Sequence, residues 1–225
     1  TQPNDGCAGC LEQRVLAVAA SSGTCALLDI GAVRCWGPSH IGQLGYGNTN
    51  NIGDNEYPYD AGDLDLGDGD VQALDSSEVH SCVLLDGAVM RCWGPNTFGE
   101  LGYGNIDGIG DNEPPGNGGD VDVGGVVVQL AVGAVHTCAL LDTGAVRCWG
   151  LGVSGTLGHG DEQWIGDDEL PSSAGDIDVG GVVTRVSAGG SHTCALLDTG
   201  GLRCWGLGSL GALGYGNVEN IGDDE

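Results

Sequence analysis

Apolar runs of four to six residues recur along this chain, divided by clusters of Gly, Asp and Asn. The runs are short and rich in Val and Leu, and none keeps a helical period. That pattern predicts β-strands throughout and an all-β chain. Residues 135–150 show the unit most clearly: Val135-His136-Thr137-Cys138-Ala139-Leu140-Leu141-Asp142-Thr143-Gly144-Ala145-Val146-Arg147-Cys148-Trp149-Gly150. A strand from Cys138 to Leu141 is expected to turn at Asp142-Thr143-Gly144 and return as Ala145 to Trp149. The unit occurs four times, at Cys25 and Cys35, Cys82 and Cys92, Cys138 and Cys148, and Cys194 and Cys204. Successive copies are about 56 residues apart, a spacing that marks a tandem structural repeat.

The rest of each copy follows in a fixed order. After the hairpin comes a glycine-rich segment, Gly150 to Gly158 in the third copy. An acidic loop from Asp161 to Glu169 follows, then Gly175-Asp176-Ile177-Asp178-Val179-Gly180-Gly181. A strand from Val182 to Ala188 leads through a Gly-Gly turn into the next copy. A turn centred on Thr143 sets Cys138 opposite Cys148 and Leu140 opposite Val146. Directly opposed residues in a non-hydrogen-bonded antiparallel pair are close enough to be bridged. A disulfide closing so short a loop stabilises by roughly 3 kcal/mol in the chain-entropy model. Four such bridges would compensate for a core with few aromatic residues. The spacing lacks the short knuckle of a zinc site. Ten cysteines in even number, eight of them in register, point to an oxidising compartment.

Charge changes the picture more than composition does. The formal net charge is -26, and all six basic residues are Arg. Four of these, Arg34, Arg91, Arg147 and Arg203, share one position before a Cys-Trp-Gly, where they read as structural. The remaining charged surface is almost wholly carboxylate, which repels nucleic acid phosphate and draws cations. No apolar run approaches the length of a membrane span. The polar start at Thr1 suits a mature secreted chain after cleavage.

Val186-Ser187-Ala188-Gly189-Gly190-Ser191-His192-Thr193-Cys194-Ala195-Leu196 resembles the signature of the regulator-of-chromosome-condensation repeat. Cys-Trp-Gly followed by Gly-x-x-Gly-x-Leu-Gly resembles the other half of that repeat. The similarity extends over all four copies. It implies four β-propeller blades of four antiparallel strands each, in a family whose propellers usually have about seven. The paired cysteines and acidic loops suit secreted bacterial relatives better than the chromatin exchange factors. The expected fold is therefore one domain over 1–225, with approximate repeats at 1–56, 57–113, 114–169 and 170–225.

Two features bear on function. Glu225 aligns with Glu169, and Thr1 aligns with the next position, Leu170, so the sequence is cut in mid-repeat. The two ends would complement each other, within one molecule as a closed ring or between molecules as a head-to-tail polymer. Cys7 and Cys10 fall at this junction, where they are expected to pair locally or to lock the seam. Secondly, the acidic loops keep register. Candidate ligands for Ca2+ are Asp54, Glu56, Asp63 and Asp65 in the first copy, and Asp107, Asp111, Glu113, Asp120 and Asp122 in the second. Asp161, Asp167, Glu169, Asp176 and Asp178 follow in the third, then Asp223 and Glu225. Hard oxygen ligands in such number suit Ca2+, although the pattern is not an EF-hand.

His80, His136 and His192 recur with the repeat and read as structural groups between blades rather than catalytic ones. Trp164 stands in an acidic loop where other copies have Asn or Gly, and is a candidate contact for a neighbour or ligand. No catalytic motif appears. The sequence thus predicts a non-enzymatic, calcium-loaded extracellular filament built from copies of this chain. The rival is a secreted closed propeller that binds a protein or glycan.

Overall fold

The computed structural model describes residues 13–224. Among them are four three-stranded antiparallel sheets, one per repeat. The first comprises β1 (Val15–Ala20), β2 (Thr24–Leu28) and β3 (Val33–Trp36), and the second β4 (Val71–Ser76), β5 (Ser81–Leu85) and β6 (Met90–Trp93). The third comprises β7 (Val127–Val132), β8 (His136–Leu141) and β9 (Val146–Gly150), and the fourth β10 (Val183–Ala188), β11 (His192–Leu197) and β12 (Leu202–Gly206). These are blades 1 to 4. The first strands lie side by side, β1 on β4, β4 on β7 and β7 on β10, so the blades stack around a common inner edge.

The hairpin register is the one the cysteine spacing requires. Cys138 pairs with Cys148 and Leu140 with Val146, and the other copies repeat this. All four hairpins carry a disulfide, with Cα atoms 4.0 or 4.1 Å apart. Cys7, Cys10, Thr1 and Glu225 lie outside the described residues.

The fourth strand is where the fold departs from expectation. Each blade has only fragments of it. Gly37 bridges Ile52, and Gly94, Gly150 and Gly206 bridge Ile109, Ile165 and Ile221. Further along, Leu64 N–H donates to the Val33 carbonyl at 2.8 Å, Val121 to Met90 at 2.9 Å, and Ile177 to Val146 at 2.9 Å. The intervening glycines and carboxylates cannot sustain a ladder, so the outer edge is a loop pinned at two points. One helical turn, Pro171–Ala174, also appears, with proline in its first turn where no N–H is required.

The core is a row of repeated side chains. Trp93 and Trp149 are completely buried, as are Leu101 and Leu157, with the disulfides behind them. His80 and His136 are buried between blades. His80 Nε2 lies 2.8 Å from Thr137 Oγ1, and His136 Nε2 lies 2.9 Å from Thr193 Oγ1. Thr137 Oγ1 already donates its proton to the Glu100 carbonyl at 2.8 Å. Its oxygen must therefore accept from His80, which fixes the neutral Nε2–H tautomer. Burial pushes the His80 pKa down to about 3 and that of His136 down to about 4. The first joint has Gly23 in place of the histidine. Serine hydroxyls replace it there: Ser21 donates to the Ser77 carbonyl and Ser22 to the Glu78 carbonyl.

Candidate functional site

Two sets of residues offer chemistry: the acidic rim of the blades, and the blade faces left uncovered among the described residues. The rim is built from one motif, Ile-Gly-Asp followed by Asn or Asp and then Glu, beginning at Ile52, Ile109, Ile165 and Ile221. The isoleucine bridges to the hairpin, and the glycine turns the chain outward with positive φ.

The carboxylates separate by task. Asp63, Asp120 and Asp176 each face a guanidinium. Their Oδ1 atoms lie 2.6, 2.9 and 2.7 Å from Nε of Arg34, Arg91 and Arg147. Asp65, Asp122 and Asp178 accept N–H bonds two residues on, from Gly67, Gly124 and Gly180, at 3.1, 3.0 and 3.0 Å. These are Asx turns. Asp161 accepts from Gln163 N–H at 3.0 Å, and Glu56 from Gly53 N–H at 3.0 Å. Asp54 and Asp223 accept from the amides of Asn51 and Asn220.

Only one group of three acidic side chains converges among the described residues. Oxygen atoms of Asp167, Asp168 and Glu169 lie within 4.8 Å of one another. Burial, a hydrogen bond to Asp168 and the charges of Asp167 and Asp168 push Glu169 up to about 7. Glu113 is raised by burial and by Asp111 and Asp107. The arginine pairing is what the sequence reading missed; Asp168 lies in the acidic loop that it marked. The signal was present, since each arginine precedes its aspartate by 29 residues in three copies.

Trp164 is 39 % exposed and packs edge-to-face on Phe98 of the preceding blade, with ring centroids 5.2 Å apart. Its neighbour is thus in the same chain.

The joints between blades show what a covered face looks like. A Cβ on Gly45, Gly102 or Gly158 would lie 2.7, 2.5 or 2.7 Å from the indole nitrogen of Trp93, Trp149 or Trp205 on the next blade. A Cβ on Gly42, Gly99 or Gly155 would strike the next blade's Gly-Asp backbone at 2.4 to 2.5 Å. All six have positive φ, so glycine is required twice over. In blade 4 the matching residues are Gly211 and Gly214. Among the described residues a Cβ on Gly214 would meet nothing within 4 Å, and Leu210, next to Gly211, is fully exposed. His192 is only half-buried, and its ring has no hydrogen-bond partner among the described residues. At the other end of the stack, Trp36 and Thr24 are half-buried, whereas the equivalent Trp149 and Thr137 are fully covered.

Comparison with known proteins agrees with this architecture. Two family models, both described as the regulator of chromosome condensation (RCC1) repeat, match residues 127–156 and 183–212 and residues 143–196. The ultraviolet-B receptor UVR8 of Arabidopsis thaliana is 32 % identical over 152 residues, 67 % of this chain and 32 % of that protein. This chain belongs to the RCC1-repeat family. The human E3 ubiquitin-protein ligase HERC2 is 30 % identical to the RCC1 blades over 202 residues, 88 % of this chain but 4 % of the ligase. Among solved structures, human WBSCR16 superposes with a TM-score of 0.76 at 26 % identity, over 95 % of this chain and 52 % of that one. Yeast RCC1 (Prp20), solved with Kap60 bound, gives 0.72 at 19 % identity over 95 % and 48 %, a likeness of fold alone. The chain thus spans about half of those solved chains and a third or less of the curated relatives.

Proposed function

We propose that this RCC1-type chain is a non-catalytic structural module. Copies join head to tail in an oxidising, extracellular setting, blade 4 of one against blade 1 of the next, and Ca2+ neutralises the acidic rim. One observation carries the reading. Each internal joint seats an indole over a glycine and a Gly-Asp turn against another glycine, and among the described residues nothing covers the two halves of a further such joint. Gly211, Gly214 and His192 form one half. Thr24, Trp36 and Gly53-Asp54 form the other. His192 and Thr24 are the same types that pair in His136 and Thr193.

The four disulfides support the oxidising setting. The convergence of Asp167, Asp168 and Glu169 supports Ca2+. Asp63, Asp120 and Asp176 contribute less to that proposal, because arginine already engages them.

Light scattering and negative-stain images, with calcium and then with a chelator, test the reading. Concentration-dependent oligomers are expected in calcium, and Gly214→Arg should abolish them. Monomers alone in calcium at high concentration would overturn it. A discrete dimer would identify a closed ring, which the match to 52 % of the WBSCR16 chain favours. A continuing series of sizes would identify the filament.

A further inference from the structure

Lysine is absent from this sequence, so its strongly basic side chains are Arg14, Arg34, Arg91, Arg147, Arg185 and Arg203. Proteases of the trypsin class cut after Lys or Arg, seating that side chain in a pocket with a carboxylate at its base. The peptide bonds after these arginines are therefore the ones such enzymes can address, and the fold does not treat them alike.

Arg34, Arg91, Arg147 and Arg203 each directly precede the second cysteine of a hairpin bridge. Hydrolysis after any of them adds a water, leaving a carboxylate on the arginine and an amine on the cysteine. The S–S bond still joins the two sides, because the broken bond lies within the ring that the disulfide closes. The bonds are also held in place. Cys35, Cys92 and Cys204 donate their N–H to the hydroxyls of Tyr46, Tyr103 and Tyr215 at 3.2, 3.0 and 3.0 Å. Arg34, Arg91 and Arg147 already face Asp63, Asp120 and Asp176, the same kind of partner that a protease pocket offers. The tether at Arg203 rests on the Cys194–Cys204 bridge, whatever lies beside its side chain.

Arg14 precedes β1, so a cut there removes residues 1–14 and leaves the twelve strands whole. Arg185 is different. It stands in β10, between the Cys138–Cys148 and Cys194–Cys204 bridges and inside neither. Hydrolysis of Arg185–Val186 would part residues 1–185 from residues 186–225. A protease takes its substrate as an extended strand, through main-chain bonds along a free edge. One edge of β10 is paired with β11, Arg185 facing Leu196 and Val186 facing Ala195. On the other edge stands Gln129 of β7, in blade 3. Its Nε2 donates to the Val186 carbonyl at 2.7 Å, and its Oε1 accepts from the Val186 N–H at 3.1 Å. One side-chain amide thus engages both main-chain groups of the residue after the scissile bond, and Val186 is 2 % exposed. The same register position holds Ala17 in β1 and Ala73 in β4. Glutamine appears where the first strand of the next blade carries an arginine.

We propose that the fold makes this chain resistant to trypsin-class proteases, with Gln129 guarding Arg185–Val186, the one such bond in the described blades whose hydrolysis would divide them. The proposal asks only that the disulfides be formed, so it stands apart from assembly and from calcium.

Trypsin digestion of the disulfide-intact 225-residue chain tests it, followed by intact mass and on denaturing gels without reductant. The wild type is expected to keep its blades as one covalent species, losing at most residues 1–14. Over the same time the reduced and alkylated chain should be cut after every arginine. Gln129→Ala installs the residue that blades 1 and 2 carry and removes both bonds to Val186. It should speed cutting after Arg185 by about tenfold or more, because proteolysis follows the population of the opened segment and two hydrogen bonds hold it closed. The new fragments end at Arg185 and begin at Val186. Adding Arg185→Gln to that variant should restore the wild-type pattern, which a general loosening of the fold would not allow. Division of the wild type after Arg185 as fast as in the alkylated chain would overturn the resistance. An unchanged rate in Gln129→Ala, or cutting of that variant at all arginines alike, would overturn the role of Gln129.

Discussion

The two buried histidines make acid the most informative perturbation. His80 and His136 are held neutral, with pKa values lowered to about 3 and about 4 from an ordinary 6.5. Each unfolds into a state that binds a proton below pH 6.5, while the folded state refuses it. Their stabilisation is therefore complete above pH 6.5 and is lost as the pH falls towards 4. Each refused proton contributes a slope of about 1.4 kcal/mol per pH unit. Between pH 7 and pH 5 the two together remove about 4 kcal/mol, a large part of the margin of a single domain. Three carboxylates oppose this. Asp75 and Glu100 are raised by burial, and Glu169 to about 7, so each favours the folded state as acid is added. The wild-type slope alone is thus a difference of unlike terms.

A variant isolates the histidines. His80→Gln with His136→Gln keeps an N–H at about the position of Nε2, so the bonds to Thr137 and Thr193 can survive while the titration cannot. Urea unfolding at pH 7.0 and pH 5.0 measures both proteins under oxidising conditions. The double variant is expected to be less stable at pH 7. It should also lose about 4 kcal/mol less than wild type on going to pH 5. Equal losses in the two proteins would refute the argument, since they would show that neither histidine is held neutral by the fold.

Four further outcomes follow from the joints, the rim and the bridges. Gly102 and Gly214 share φ values near +80°, so alanine costs each about 1 kcal/mol of backbone strain. Only Gly102→Ala also drives a methyl into Trp149, so chemical denaturation of the monomer should show it several kcal/mol worse than Gly214→Ala. Asp176→Asn removes a half-exposed ion pair and should cost about 0.5–1 kcal/mol, less in high salt. Replacing Cys138 and Cys148 together by alanine should cost about 3 kcal/mol, read as a lower urea midpoint with unchanged slope. Millimolar Ca2+ should raise the melting temperature of the wild type, and no shift would count against the rim as a calcium site.

The repeat, the strands and the disulfide register were legible because each rests on a local rule. Short apolar runs bounded by turn residues mark the strands, and a ten-residue separation around Thr143 fixes which cysteines face. The interblade position of the histidines followed from their recurrence. The arginine pairs were not read, because Arg147 and Asp176 meet only after the chain has run out along the acidic loop and back. That same return shows why Asp-x-Asp is not one two-toothed ligand. Asp176 turns to the guanidinium, and Asp178 turns to its own Gly180 N–H. Counting carboxylates could not distinguish these tasks from metal binding. The missing ladder of the fourth strand was likewise illegible, since the family pattern implies a strand that the glycines of this sequence will not form. Trp164 illustrates a third limit: its loop position marked it as unusual, but Phe98 lies 66 residues away in sequence and no spacing pointed to it.

The arginines explain how a stack with so few hydrogen-bonded edge strands holds together. Arg91 and Arg147 each bind two outer segments at once, their own aspartate through Nε and the preceding blade's carbonyl through NH1. One side chain thereby fixes the outer edge of its blade and bolts it to the neighbour. In a repeat protein, stability is close to a sum of nearest-neighbour terms. A bolt that spans two repeats therefore adds cooperativity that the disulfides, each confined to one hairpin, cannot supply. Among the described residues, Arg34 bonds only to Asp63 of its own blade, and Arg203 only to its own backbone. Blade 2 is thus bolted to both neighbours among the described residues, blades 1 and 3 to blade 2 alone, and blade 4 to none at its rim.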